Sequence, residues 1–329
     1  MELTILAVMW TAVSAYALLG GADFGAGIWD LLAGRRAPGA PRRALIEHSI
    51  GPVWEANHVW LIFVLVLMWT AFPPAFAAIS STLYVPLTLV ALGVIARGSA
   101  FAFRKSIDQP WAQRLFGAAF AFSSVVTPYF LGAAAGAVAS GRVPPGLARG
   151  SAVTSWINPV SVVTGAFAVT ACAFLAASYL TLDARRAGDQ ALTAYFRRRA
   201  LGSGLVVGAC SVAGLLVLHA GAPALYGRLT GRALPLVAVA VAAGLVSLVL
   251  AWRARLVALR VSAATAVAAA LWAWAAAQYP YLLLPGLTVS GGAAPPSTLA
   301  AVVVCTAAGG ALLIPSLAWL LILVQRQPR

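Results

Sequence analysis

The stretch LTILAVMWTAVSAYALLGGADFGAGIWDLL, residues 3–32, holds no lysine or arginine and only two acids, Asp23 and Asp30. An α-helix rises about 1.5 Å per residue, so roughly 20 apolar residues cross about 30 Å of hydrocarbon. The run is long enough for that, and it lacks the strict alternation that a barrel strand needs. A cleaved signal peptide fits less well, because no basic residue precedes Arg35 and the apolar run outlasts a signal's core. It reads as a retained transmembrane helix.

Working outward, eight more stretches meet the same test: 53–72, 79–96, 115–138, 157–182, 201–219, 234–252, 256–278 and 297–324. The expected fold is therefore all-α: a polytopic membrane protein of about nine transmembrane helices, forming one membrane domain over 1–329. Composition agrees. Of the 329 residues, 62% are hydrophobic and 9% charged, whereas a water-soluble domain carries about a quarter charged residues.

The net charge of +14 would suit nucleic acid, but the basic residues fall mostly in alternate gaps between helices, so their pattern reports topology. Of 22 Lys and Arg, 18 lie on one side, including Arg35, Arg36, Arg42, Arg43, Arg97, Arg185, Arg186, Arg197–Arg199, Arg253 and Arg255. Only Arg142, Arg149, Arg228 and Arg232 lie on the other. Cytoplasmic loops hold the excess, which places the amino terminus outside and the carboxyl terminus on the cytoplasmic side. The longest gaps leave no room for a separate soluble domain. The outer gap 279–296, uncharged and rich in Pro, Gly and aromatics, is expected to fold over the outer surface. No Gly-rich phosphate loop is present, which disfavours an ATP-driven pump.

Few side chains can carry chemistry. Cys172, Cys210 and Cys305 sit in separate apolar runs and read as packing residues, not as a metal site or disulfide. Haem ligation normally needs two axial ligands facing each other at one depth. His48, His58 and His219 are expected at three different places, so no cofactor or metal is assigned to this chain.

The acids stand out, because a carboxylate in hydrocarbon costs several kcal/mol unless paired, protonated or hydrated. Asp23 lies about 20 residues into a helix that starts outside, hence roughly 30 Å deep and near the inner face. Asp30 follows two turns later on the same face, and Glu55 opens the second helix from that side. Together they suggest a proton-uptake route. Structural alternatives are a helix end at Asp30 and a first-turn acid at Glu55. His58, three residues after Glu55, can share its face; it reads equally as a core histidine. Trp54 and Trp60 read as interface anchors or packing. Gly21 and Gly25 form a small-xxx-small pair for close helix approach.

The motifs are more specific than composition. The segment Gly20-Gly21-Ala22-Asp23-Phe24-Gly25-Ala26-Gly27, followed by Ile50-Gly51-Pro52-Val53-Trp54-Glu55-Ala56-Asn57-His58-Val59-Trp60-Leu61, resembles subunit II of the cytochrome bd quinol oxidases. Further likeness runs through Asn158-Pro159, Tyr279-Pro280-Tyr281 and Pro295-Pro296-Ser297-Thr298, and so covers nearly the whole chain. The resemblance implies two four-helix bundles plus one peripheral helix. It also implies a heterodimer with subunit I, which carries the b-type and d-type haems and takes quinol as substrate to reduce O2. In that setting Asp23 and Glu55 match the family's proton-route carboxylates, and Trp60 matches a tryptophan associated with an oxygen path; Trp54 is a candidate for that path or for the subunit boundary. Small accessory membrane subunits are left open. Two other readings of the acids stand beside this one: a proton-coupled secondary transporter, and a purely structural scaffold subunit.

Overall fold

The computed structural model describes residues 1–34, 39–50, 54–104 and 109–326. Thirteen α-helices and one small hairpin account for most of them. The first apolar run is a bent rod: α1 (Glu2–Ala15) passes through a π-helical turn (Tyr16–Gly20) into α2 (Gly21–Leu32). A short α3 (Gly39–Ile50) follows, then α4 (Trp54–Ala71), α5 (Pro73–Thr82), α6 (Tyr84–Arg104) and α7 (Pro110–Ala139). The second half holds α8 (Pro159–Arg186), α9 (Gln190–Gly221), the short α10 (Pro223–Thr230), α11 (Leu234–Trp252), α12 (Leu256–Gln278) and α13 (Pro296–Arg326).

Each of the nine apolar stretches falls on a helix. Among the described residues, seven helices are long and apolar enough to cross a membrane, or eight if the bent pair around residue 72 counts as one span. The remaining stretch, 79–96, lies mostly on α6, whose described apolar part, Tyr84–Ala100, is shorter than that test requires. One boundary is corrected. The expected third helix at 79–96 begins in α5, which runs at 119° to α4, and the rod proper starts only at Tyr84. The physical cause is the pair Pro73-Pro74: together they remove two backbone donors and clash with the preceding turn, and they suit the first turn of a helix, so the chain ends α4 and restarts in a new direction.

Packing shows that the rods alternate in direction. The start of α1 (Ile5, Met9) packs on the end of α4 (Leu67, Ala71) and on the hairpin region (Val289, Ala294). At the opposite end, Trp29 of α2 meets Leu45 and Ile46 of α3, Ala184 of α8 and Phe196 of α9. α8 is the central rod, against which α2, α7 and α9 pack most heavily. Among the described residues α13 packs mainly on α1 and α4, and just 6% of its apolar window is buried, so it is peripheral.

The loop 279–296 forms a two-stranded antiparallel hairpin, β1 (Tyr281–Leu283) with β2 (Leu287–Thr288). It caps the end of α4 through the Ala294 N–H, which donates to the Ala71 carbonyl at 2.9 Å. Arg197, Arg198 and Arg199 lie inside α9 rather than in a loop, because α9 begins eleven residues earlier than expected, at Gln190 with Asp189 as its cap. The Asp189 carboxylate accepts from the Leu192 N–H at 2.8 Å, which satisfies one orphan donor of the first turn.

Candidate functional site

The π-turn is the local device that builds the site. A π-turn widens the helix by one residue and leaves a backbone carbonyl out of the regular ladder. Here Asn57 of α4, 3% exposed, donates from Nδ2 to the Leu19 carbonyl at 3.4 Å. That contact puts the first turns of α4 level with the turn that ends in Gly20, one helical turn before Asp23. Tyr16, the first residue of the π-turn, is buried with Phe24 and Cys172, and Trp60 and Leu61 of α4 pack on this group. The His58 ring lies 6.3 Å from the Tyr16 ring and 6.2 Å from the Phe24 ring, centre to centre.

Asp23 is buried, 3% exposed, and its partner is Arg97 of α6, 1% exposed. One Arg97 nitrogen lies 2.6 Å from Asp23 Oδ1 and donates as well to the Asp23 backbone carbonyl at 2.9 Å. The other terminal nitrogen donates to the Ser124 hydroxyl on α7, and Ser124 in turn donates to the Phe120 carbonyl at 2.6 Å. The guanidinium stands 4.1 Å from the Phe120 ring centre and 5.0 Å from that of Phe24. Three helices thus hold one buried charge pair between aromatic faces. This satisfies the requirement that an ion in a low-dielectric interior be paired and hydrogen-bonded. Asp23 and Arg97 also act electrostatically on Tyr16, His58 and Cys172.

Arg97 is a correction to the loop count of basic residues. It lies within α6, with Ala100 behind it fully buried. A signal was available: the apolar run continues past Arg97 through Gly98-Ser99-Ala100-Phe101-Ala102-Phe103. An arginine inside such a run is as costly as the acids and asks for a partner in the same way.

Glycines set the distances between the rods. A Cβ on Gly25 would fall on the backbone carbonyl of Cys172, and one on Gly27 would fall on Ser124. Gly21 is less confined, since its nearest neighbour would be Cys172 Sγ at 3.4 Å. The close approach of α2 to α8 lets the Trp29 indole N–H reach the Ala173 carbonyl at 2.8 Å.

Asp30, 8% exposed, does not join the Asp23 cluster. It lies two turns nearer the helix end, 3.7 Å from Arg43 of α3. The Arg42 guanidinium donates to the Ala33 carbonyl at 3.0 Å, closing the end of α2. The backbone of Trp54 and Glu55 opens α4 one turn before Asn57 and His58. The side chains of both lie outside the described residues, as does any contact between Glu55 and His58. Among the described residues no three His, Cys, Asp or Glu side chains gather as metal ligands would. The histidines are distributed over α3 (His48), α4 (His58) and α9 (His219).

These features define a class: an all-helical, polytopic membrane protein whose first helix carries a buried acid, paired across to a buried arginine on α6. Residues 1–324 match the family model described as cytochrome bd terminal oxidase subunit II, and the chain belongs to that family. Relatives include the cytochrome bd ubiquinol oxidase subunit 2 of Bacillus subtilis, 31% identical over 52% of this chain and 49% of that protein. The cytochrome bd-I ubiquinol oxidase subunit 2 of Escherichia coli is 28% identical over 42% of this chain and 37% of its own length. The alignments thus span half or less of these relatives. A chain of the bd oxidase structure from Geobacillus thermodenitrificans shares the fold over 99% of both chains, with a TM-score of 0.76 at 24% identity.

Proposed function

We propose that this chain is the haem-free subunit of a respiratory quinol:O2 oxidoreductase in a bacterial cytoplasmic membrane, with its amino terminus outside and its carboxyl terminus in the cytoplasm. In that role it pairs with a haem-bearing subunit I and lines part of a route by which protons reach the site of O2 reduction. Haems in the partner supply the electron transfer and O2 chemistry; the residues here hold and pass protons. Membership of the family and the names of its relatives support the activity. The observation that carries the proton role is the Asp23–Arg97 pair, 2.6 Å apart and almost wholly buried.

Arg97 compensates the Asp23 charge and fixes Oδ1, while Oδ2 accepts no hydrogen bond among the described residues. That oxygen is left to receive a proton, after which the pair relaxes and can release it again. His58 and Tyr16 stand beside the pair as groups able to donate or accept on either side of it. Glu55 opens α4 one turn earlier and is the proposed first acceptor from the cytoplasm. Trp60, packed on Tyr16 and Phe24, bounds the cluster on the α4 side.

The test is quinol oxidation coupled to O2 uptake by the purified complex carrying Asp23→Asn or Glu55→Gln. Slower turnover in both, with haem spectra retained, is the expected result. Wild-type turnover in both variants would remove the proton route from this chain.

A further inference from the structure

The hairpin of α11 and α12 carries a cleft that the proton route does not use. Its volume is about 550 Å³, within the range of clefts that hold ligands. Leu245, Val246, Val249 and Leu250 of α11 form its wall, and Arg253 and Arg255 stand at its end. Leu245, Val246 and Val249 are 60%, 49% and 47% exposed. An apolar surface thus opens outward from a helix with a mean span hydropathy of 2.6.

The turn between the two helices is strained so as to present both arginines. Ala254 adopts a left-handed φ of 56°, a conformation that usually goes to glycine. The Arg255 N–H donates back to the Leu250 carbonyl at 2.9 Å and the Arg253 N–H to the Val249 carbonyl at 2.9 Å. The resulting three-residue turn sets the arginines on either side of Ala254. Both side chains are exposed. Among the described residues neither has an acidic partner, whereas nearby Arg260 is paired with Asp183 at 3.5 Å. That pair also places the turn at the same end of the molecule as the basic carboxyl end of α8. Trp252 beside the turn is 73% exposed, as suits an indole at a membrane boundary.

We propose that this cleft binds an anionic phospholipid, its phosphate on Arg253 and Arg255 and an acyl chain along Leu245 to Leu250. The charge complementarity selects the occupant. An acidic headgroup answers two unpaired cations at the boundary, and the apolar wall rising from them matches a hydrocarbon tail, which neither inorganic phosphate nor a soluble anion would need. The inference is independent of the proton route, since it rests on a different pair of helices.

Native mass spectrometry of the intact purified complex, titrated with phosphatidylglycerol and separately with phosphatidylcholine, tests it. The wild type is expected to prefer phosphatidylglycerol. Arg253→Gln and Arg255→Gln should each lower that affinity about fivefold. Val249→Trp should weaken it by filling the cleft with both arginines intact. The pair Arg185→Gln with Arg186→Gln, exposed at the same end but not lining this cleft, should leave it unchanged. Equal affinity for the two lipids, an equal loss in the Arg185/Arg186 control, or full competition by inorganic phosphate would each overturn the proposal.

Discussion

Arg97→Gln is the most informative single change. At 2.6 Å and an effective dielectric of about 20, the Asp23–Arg97 attraction is roughly 6 kcal/mol, offset by the cost of taking both ions out of water. Removing the arginine leaves a buried carboxylate without its cation, and such a loss costs about 3–5 kcal/mol. Asp23→Asn leaves the guanidinium stranded and should cost a similar amount. The double variant, Asp23→Asn with Arg97→Gln, carries no buried charge. It should recover to within about 1.5 kcal/mol of wild type, since an amide pair can still share a hydrogen bond. The assay is the thermal midpoint of the purified complex, followed by loss of the intact species on size exclusion, with quinol oxidation measured on the same samples. The three variants form a cycle whose coupling should be well above the few tenths found for independent sites. If the losses in the double variant simply add, or if Arg97→Gln behaves as wild type, the pair is not what holds α2, α6 and α7 together. A split between stability and turnover separates two roles: a structural pair regains both in the double variant, whereas a proton-carrying Asp23 regains only stability.

Two further changes probe the frame around the pair. Gly25→Leu should disrupt assembly, because its Cβ meets the Cys172 backbone carbonyl and neither helix can give way; Gly21→Ala, with its nearest neighbour at 3.4 Å, should assemble at wild-type yield. Comparing the recovery of intact complex from membranes distinguishes them. For orientation, single cysteines at Ser290 in the turn that follows β2 and Gly188 between α8 and α9 should label oppositely with a membrane-impermeant thiol reagent in whole cells. Ser290→Cys should react from outside and Gly188→Cys only after permeabilisation, and the reverse pattern would invert the proposed topology.

The individual rods were legible because each is a local property. Hydrogen bonds close within a helix, and its apolar length can be counted along one stretch of chain. The acids were legible for a related reason, as charges in apolar runs are rare and costly wherever they occur. Arg97 escaped because it sits where an apolar count stops, and its membership of α6 depends on the residues after it. The Pro73-Pro74 bend carried a local signal, but the 119° angle did not, since it depends on where α5 finds a surface to pack on.

What the amino-acid sequence determined by itself was the set of helices, the crowding of basic residues toward one end, and the presence of unusual carboxylates in or beside the first two apolar runs. Only the tertiary structure decided which cation answers Asp23, that Asp30 belongs to a separate pair with Arg43, and that the π-turn and Asn57 set the level of α4. Those outcomes rest on contacts between residues 74 positions apart in one case and 38 in another. Their geometry follows from how closely glycine faces let the rods approach, which no single stretch of chain encodes.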